Sequence, residues 1–328
     1  MSFKIIKINK DKDYEGWLDY RNSGIGASEV GTILGLNPWK SSIELFYQKI
    51  GAIPQKLTEN MAMFMGNRLE SFVADMWQYY EGDEESVIRN FNEGVKIRHC
   101  QEVTGYIVND DYPNLFFSPD RIITKEGAKL VKRGKLYLEE AEGVLEIKTI
   151  SGFASKQWEG GIPPSYIVQL TTYLMGLNLQ YGEIAFLEDG RNLKVFPLER
   201  QDFLVEKIIS ATNEFWERVT MARADMENAH MYAPEPDGTE SYQKFLNQKY
   251  AVSQEKTVRG DSESLLMAKR HKELGEQIKD IEGEQRLCAA FMKSKLQESE
   301  TLDFGEAGKV TWKTDSRGVR TLKNLIKQ

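Results

Sequence analysis

"FFSPDR" at 116–121 and "GVLEIKT" at 143–149 decide how this chain is read. In the second stretch Val144, Leu145 and Ile147 are apolar, yet Glu146 and Lys148 stand among them, two apart. Side chains alternate between the faces of a strand, so Glu146 and Lys148 project together while Leu145 and Ile147 pack into the opposite face. A carboxylate set into such a run is costly to bury unless it is paired or bound to a cation. If Asp120 ends a neighbouring strand, its carboxylate converges on Glu146. Two oxygen donors of this kind suit Mg2+ or Mn2+, with waters completing an octahedron. Lys148 would then orient a nucleophile and offset charge developing on an attacked phosphate. An E-x-K pair also arises by chance on solvent-facing strands, so it gains meaning only from its company.

The bulk composition sets limits on that chemistry. The chain has 328 residues, 41% hydrophobic and 28% charged, an ordinary globular balance with length for one large domain or a domain plus an extension. No apolar run approaches the ~18 residues that would span a bilayer. The charged start "MSFKIIKINKDKDYEGW" has no signal-peptide core, so a cytoplasmic location is expected. Cys100 and Cys288 are the only cysteines and the histidines number three. Disulfide frameworks, iron–sulfur clusters and zinc sites are therefore disfavoured, and any metal must be held by oxygen. A net charge of -7 argues against nonspecific coating of nucleic acid, which depends on phosphate neutralisation, but leaves room for a local DNA site. One basic stretch, Arg121, Lys125, Lys129, Lys132, Arg133 and Lys135 against Glu126, reads either as a solvated hairpin or as a DNA grip.

Periodicity gives the architecture. "SSIELFYQKIG" and "MFMGNRLESFVADMWQYYEG" carry helical spacing, the second placing Met65, Leu69, Phe72, Val73, Met76, Trp77 and Tyr80 on one face. Strand-like runs follow in "VTGYIVND", "NLFFSPDRII", "GVLEIKT", "GEIAFLED" and "LKVFPL", with a helix beginning at "PPSYIVQLTTYLMGL" between the third and fourth. The expected fold is α/β, a mixed central sheet flanked by helices. Prolines and a glycine in "MYAPEPDGTESY" (231–242) suggest a boundary, giving a domain over 1–230 and a mainly helical extension over 231–328. In the extension Met267, Leu274, Ile278, Ile281, Cys288 and Met292 follow a loose seven-residue pattern interrupted by His271 and Gln285, expected of a helix or helical hairpin that packs on something. "GKVTWKTDSRG" is expected to return as a short strand pair.

The company of the E-x-K pair is specific. "WLDYRNSGIGASEVGTILGLNPW", "MGNRLE", "SPDR", "VLEIKT" and "YIVQLTTY" occur in this order over about residues 17–175. The set resembles the PD-(D/E)xK nuclease superfamily, with its restriction-endonuclease-like fold, and within it the YqaJ and lambda-type phage exonucleases. The resemblance implies a Mg2+-dependent 5′-to-3′ exonuclease on linear double-stranded DNA, probing DNA ends and leaving 3′ overhangs for a single-strand annealing protein of the RecT or Red-beta kind. It implies Asp120 and Glu146 as metal ligands, for two ions in all, Lys148 as the catalytic lysine and Glu70 as an acid assisting the attacking water. Arg21, Ser28, Ser118 and Gln169 correspond to the family's contacts to the terminal phosphate, and Tyr173 to its motif tyrosine. A phage or prophage origin, no membrane association and a homo-oligomer, such as a ring of three, go with it. The gap from Asp120 to Glu146 is longer than in the compact lambda-type enzyme, and the chain after about 231 lies outside that likeness.

Other assignments compete. A restriction-like or RecB-like endonuclease of the same superfamily would share the cluster. A noncatalytic scaffold on a nuclease fold would be expected to have lost an acid or the lysine, and Asp120, Glu146 and Lys148 are all present. Singly, each residue has a plainer role: Ser28 as a helix N-cap, Arg21 as a salt-bridge partner, Glu70 as a surface residue, Gln169 and Tyr173 as flanks of a packed helix.

Overall fold

The structure is a computed structural model and describes residues 3–8, 13–53, 60–132, 134–152, 158 and 160–327. It divides into two compact units, Met1–Ala251 and Val252–Gln328. The first contains β1 (Phe3–Ile6), α1 (Tyr14–Asn22), β2 (Ile25–Gly26), α2 (Ala27–Ile33), α3 (Ser42–Lys49), α4 (Met61–Trp77) and α5 (Glu84–Glu93). Next come β3 (His99–Gln101), β4 (Tyr106–Asn109), β5 (Leu115–Phe117), β6 (Arg121–Thr124), β7 (Val131–Lys132), β8 (Lys135–Leu136) and β9 (Ala141–Ile150). The unit ends with α6 (Pro164–Leu177), β10 (Tyr181–Glu188), β11 (Asn192–Glu199), α7 (Asp202–Ala224) and α8 (Glu240–Lys249). The second unit holds α9 (Ser262–Leu296), β12 (Thr301–Asp303), β13 (Gly308–Thr314) and β14 (Arg320–Ile326).

A mixed sheet in the order β11-β10-β9-β6-β3 carries the candidate site. β9 lies parallel to β10 and antiparallel to β6. The parallel pair needs a crossover, which α6 supplies, starting on Pro164 where a missing N–H costs nothing. Both faces of the central strands are covered. Val144, Ile184 and Phe186 join Leu170 and Leu174 of α6 in one apolar cluster, while Leu145, Ile147, Ala185 and Leu187 join Val73, Ala74 and Trp77 of α4 in another. This explains the near-continuous apolar runs of β9 and β10. The α/β fold with helices flanking mixed sheet is thus the one the periodicity predicts.

Three expectations need correction. "NLFFSPDRII" is two strands in different sheets, β5 in the order β1-β4-β5-β2 and β6 beside β9. Pro119 has no N–H to continue a ladder, and the chain turns at Ser118–Asp120 between them. On α4 only Val73, Ala74 and Trp77 are buried, whereas Met65 and Phe72 are exposed. Gly66 approaches Thr149 near the end of β9, so the turns before it extend past the strand they would need for cover. Arg121 is no part of the basic hairpin: it opens β6 and is buried, while β7 and β8 place Lys132 and Lys135 in solvent. Arg133 lies outside the described residues.

The division between the units falls after Ala251 rather than at the proline-rich break, because α8 belongs to the first unit. Tyr242 and Phe245 are buried, Phe245 stacks on Tyr47 at 5.5 Å, and Ser241 donates to Glu44 at 2.6 Å. In the second unit the seven-residue pattern is one continuous helix of 35 residues. The expected strand pair is there as β13 and β14, joined by β12, with the Arg320 guanidinium 3.7 Å from the Trp312 ring centre.

Tight contact at Gly176 of α6 makes a test of this packing. A Cβ there would lie 2.1 Å from the Phe117 ring, which is fully buried. Helix propensity alone would favour alanine by about 1 kcal/mol, and overpacking a dense core costs about 1–3 kcal/mol. Because a 2.1 Å approach to a buried ring sits toward the severe end of overpacking, Gly176→Ala is expected to lower stability by up to about 2 kcal/mol in urea denaturation. An unchanged or raised midpoint would mean that the Phe117 ring moves aside freely.

Candidate active site

The β6–β9 register builds the centre. Arg121 pairs with Leu145 and Ile122 with Val144, so one step back along the antiparallel ladder brings Asp120 opposite Glu146. The Asp120 Oδ2 atom accepts the Ile147 backbone N–H at 2.7 Å, fixing the carboxylate over β9. Glu146 is buried, and Lys148, two residues on and on the same face, donates to its Oε1. Gln169 of α6 donates to that same oxygen at 2.6 Å. The Lys148 ammonium also sits 5.4 Å from the centre of the Tyr166 ring.

The two oxygens of Glu146 are treated unequally. Oε1 takes both donors, and Oε2 is buried with no hydrogen-bond partner among the described residues. Two other buried carboxylates provide the contrast. Glu183 on β10 accepts from Trp77 at 2.7 Å and Arg98 at 2.6 Å on one oxygen and from Tyr181 on the other. Glu29 of α2 accepts from Arg21 on Oε1, and from Lys49 and the Gly26 N–H on Oε2. An unsatisfied buried carboxylate oxygen costs a few kcal/mol, so Glu146 alone of these three is left asking for a cation.

Electrostatics at the pair agree. Burial, then the Glu146 charge beside it, pushes the Asp120 carboxyl up to about 7. For Lys148 burial acts to lower the pKa, but the charges of Glu146 and Asp120 outweigh it and the group is raised, so it stays protonated at neutral pH. It therefore stands as a positive charge and hydrogen-bond donor beside Glu146. Glu70 of α4 is raised by burial and by Asp120, with Arg121 opposing. Its Oε1 accepts from Arg121 at 2.7 Å, so it is tied to the residue after Asp120 and not to the Glu146 carboxylate. Among the described residues no three His, Cys, Asp or Glu side chains gather as a metal cluster.

Of the residues expected at a terminal phosphate, the structure brings some into this centre and leaves others beside it. Gln169 and Tyr173 are buried on α6, Gln169 serving Glu146 and Tyr173 donating to the Ser118 carbonyl at 3.0 Å. Ser118 and Ser28 are exposed. Ser28 is not the N-cap of α2, a position held by Gly26. Arg21 donates to Glu29 at 3.3 Å, and its charge is near enough to act on Tyr173. α2 packs directly on α6, Gly31 meeting Ser165, which carries the Arg21 segment to the helix that holds Glu146.

Sequence reasoning missed Lys49, Tyr166 and Arg121 as contributors to the geometry. Lys49 is fully buried, 2.7 Å from Glu29 and 2.6 Å from the Arg21 carbonyl. Burial lowers its pKa to about 8 against the pull of Glu29. Glu29 is itself subject to desolvation, but Lys49, Arg21 and Lys40 together hold it down at about 2. A lysine at the end of an amphipathic helix gives no sign in sequence that it faces inward; the Glu29 of "ASE" could have been singled out as a charge in an otherwise apolar turn.

Residues 16–176 match the YqaJ-like viral recombinase domain. The uncharacterized protein YqaJ of Bacillus subtilis (strain 168) is 27% identical over 301 residues, covering 90% of this chain and 82% of that protein. Among solved structures, the alkaline exonuclease LHK-Exo from Laribacter hongkongensis aligns over 66% of this chain and 98% of its own, at 18% identity and a TM-score of 0.47. A phage-related exonuclease from Haemophilus somnus 129PT aligns over 63% of this chain and 99% of its own, at 12% identity and a TM-score of 0.37.

The Glu29–Lys49 pair can be tested on its own. Removing one partner of a buried ion pair leaves the other charge uncompensated, at a cost of about 3–5 kcal/mol. Glu29→Gln is expected to destabilise the chain by about 3 kcal/mol at pH 7 in chemical denaturation. The carboxyl is depressed in the folded state, so its contribution is full above the ordinary glutamate range and is lost as pH falls toward about 2. The gap between wild type and variant should accordingly narrow below about pH 4.5. A gap independent of pH would assign the loss to packing rather than charge.

Proposed function

We propose, on the premise that residues 16–176 form a YqaJ-like viral recombinase domain, that this chain is a metal-dependent 5′-to-3′ exonuclease acting on ends of linear duplex DNA. Its product is a 3′ single-stranded overhang, suited to a single-strand annealing protein of the RecT or Red-beta kind. The observation that carries the proposal is the buried Glu146 Oε2, partnerless among the described residues and set opposite Asp120. Asp120 and Glu146 would hold the cation, Mg2+ or Mn2+, since an all-oxygen pair suits a hard divalent ion. When bound, it supplies positive charge to the scissile phosphate and acidifies the attacking water.

The chain's own residues do the rest. Lys148, kept protonated between Glu146 and Asp120, presents its remaining N–H groups to a phosphate oxygen and offsets charge in the transition state. Gln169 holds the Glu146 carboxylate in one orientation through Oε1, leaving Oε2 as the ligand atom. Tyr173 fixes the Ser118 carbonyl and with it the turn that delivers Asp120. Because protonated Asp120 cannot serve as an anionic ligand, cation binding should strengthen as pH rises through about 7. Glu70 would need release from Arg121 to assist the water or to share a second ion, the arrangement of two ions that the family likeness implies.

Arg21, Ser28 and Ser118 are the groups proposed to meet the 5′-terminal phosphate. Gln169 and Tyr173, both buried, act on it through the residues they hold. The Arg21 side chain is 23% exposed and Glu29 engages only one of its nitrogens, so donors remain for a second anion.

End-labelled linear duplex, followed strand by strand with Mg2+, tests the reaction. Loss of the 5′ strand and survival of closed circular DNA are expected; nicking of the circle would make the enzyme an endonuclease. Glu146→Gln and Lys148→Ala should each lower the rate by ~10²-fold or more, the scale for one preorganised electrostatic group, with Lys148→Ala still binding Mn2+. Wild-type turnover by Glu146→Gln would refute the assignment. Arg21→Ala should slow digestion of 5′-phosphate ends by ~10–100-fold, the worth of one charge-assisted hydrogen bond, while 5′-hydroxyl ends change little. Equal slowing of both would make Arg21 a general backbone contact.

A further inference from the structure

The helix α9 presents an apolar seam that stays exposed from Met267 to Cys288 among the described residues and is partly covered only at Met292. Over Ser262–Leu296 the only buried residue is Leu296. Met267, Leu274, Ile278 and Ile281 are 57%, 41%, 55% and 65% exposed. Met267, Leu274, Ile281 and Cys288 recur every seven residues, and His271, Ile278, Gln285 and Met292 fill the complementary positions four residues after each. These are the d and a positions of a coiled coil, whose seam supercoils to stay facing a partner. Gly275 and Gly283 inside the helix cost about 1 kcal/mol each relative to alanine, so this helix is a weak one unless something packs against its seam.

Charge identifies both the occupant and its direction. In this frame Arg270 and Glu284 occupy g positions, and Gly275, Glu282 and Ala289 occupy e positions. A parallel copy would set Arg270 against the partner's Gly275, Glu284 against the partner's Ala289, and Gln277 against the partner's Glu282, with no opposite charges paired. An antiparallel copy sets g against g, so Arg270 meets the partner's Glu284 at both ends of a two-fold axis. The Arg270–Glu273 pair within the helix, at 3.3 Å, is exposed and weak enough to be exchanged for it. The same alignment stacks Leu274 on the partner's Ile278 at the centre and flanks it with His271 on the partner's Ile281. It leaves the polar His271 and Gln285 opposite apolar residues, a device that fixes register at some expense of stability.

We propose that α9 is a self-association element that pairs with α9 of a second copy of this chain, antiparallel about an axis near Glu276. The pairing is independent of the proposed DNA chemistry, and it links chains two by two whatever assembly the first unit forms. In this alignment Cys288 faces the partner's Ser264, whereas a parallel pair would put Cys288 against the partner's Cys288.

Light scattering on the intact chain, and on Leu274→Glu/Ile278→Glu, tests the pairing. Both positions are exposed, so the fold should persist, as circular dichroism can verify, while the assembly mass halves. Air oxidation tests the direction without destabilising anything: Ser264→Cys should run as a disulfide-linked dimer through Cys288, while wild type and Ser264→Cys/Cys288→Ser should not crosslink. An intact chain that is already monomeric, an unchanged mass for the double glutamate variant, or ready Cys288-to-Cys288 linkage in wild type would each overturn the proposal.

Discussion

Everything at the candidate site depends on the antiparallel register of β6 against β9. Arg121 opposite Leu145 places Asp120 opposite Glu146, and the Ile147 N–H then takes the Asp120 carboxylate. A slip of one residue would turn Glu146 and Lys148 toward α4 and bury Leu145 and Ile147 among polar groups, so the two apolar clusters lock the register from both faces. Packing energy spread over many methyl groups thereby holds two like charges together. That juxtaposition is unfavourable by itself, and after burial it is the second cause of the raised Asp120 carboxyl.

Three buried glutamates among the described residues sit in different electrostatic settings, and comparing them separates structure from chemistry. Glu183 is satisfied on both oxygens by Trp77, Arg98 and Tyr181, and so ties α4 and the start of β3 to β10. Glu29 is satisfied by Arg21, Lys49 and a backbone N–H, and so ties α1, α2 and α3 together. Glu146 has its donors crowded on one oxygen. A protein selected only for stability would gain by satisfying or replacing that group, since an orphaned buried oxygen is a cost with no structural return. The proposed cation supplies the return.

α6 couples the two halves of the site. It is the crossover between parallel strands, so it must lie on the sheet face that Glu146 and Lys148 occupy, and it delivers Gln169 to Glu146 and Tyr173 to Ser118. On its other side it receives α2 through the close approach of Gly31 to Ser165. The Arg21–Glu29–Lys49 network is thus held at a set distance from the carboxylate pair by helix packing. A single rigid element positions both the carboxylate pair and the proposed phosphate contacts, as preorganised chemistry at this site would need.

Much of this was legible in the residues alone. Alternation within "GVLEIKT" determined that Glu146 and Lys148 share a face, the order of elements determined a mixed sheet flanked by helices, and the run of strands placed a helix between "GVLEIKT" and "GEIAFLED". Composition limited any metal to oxygen ligands. These features are local, or depend on period and order, and the chain states them directly. What tertiary structure decided depends on neighbours distant in sequence. Pro119 divides one apolar run between two sheets, Glu70 goes to Arg121, and Lys49 turns inward to Glu29 because α2 and α3 close over it. The heptad pattern of α9 likewise determined a seam, but only the fold showed a single helix with that seam exposed. Partner choice for a charge is set by which side chains lie within a few ångströms and how much water they exclude, and neither quantity exists until the chain has folded.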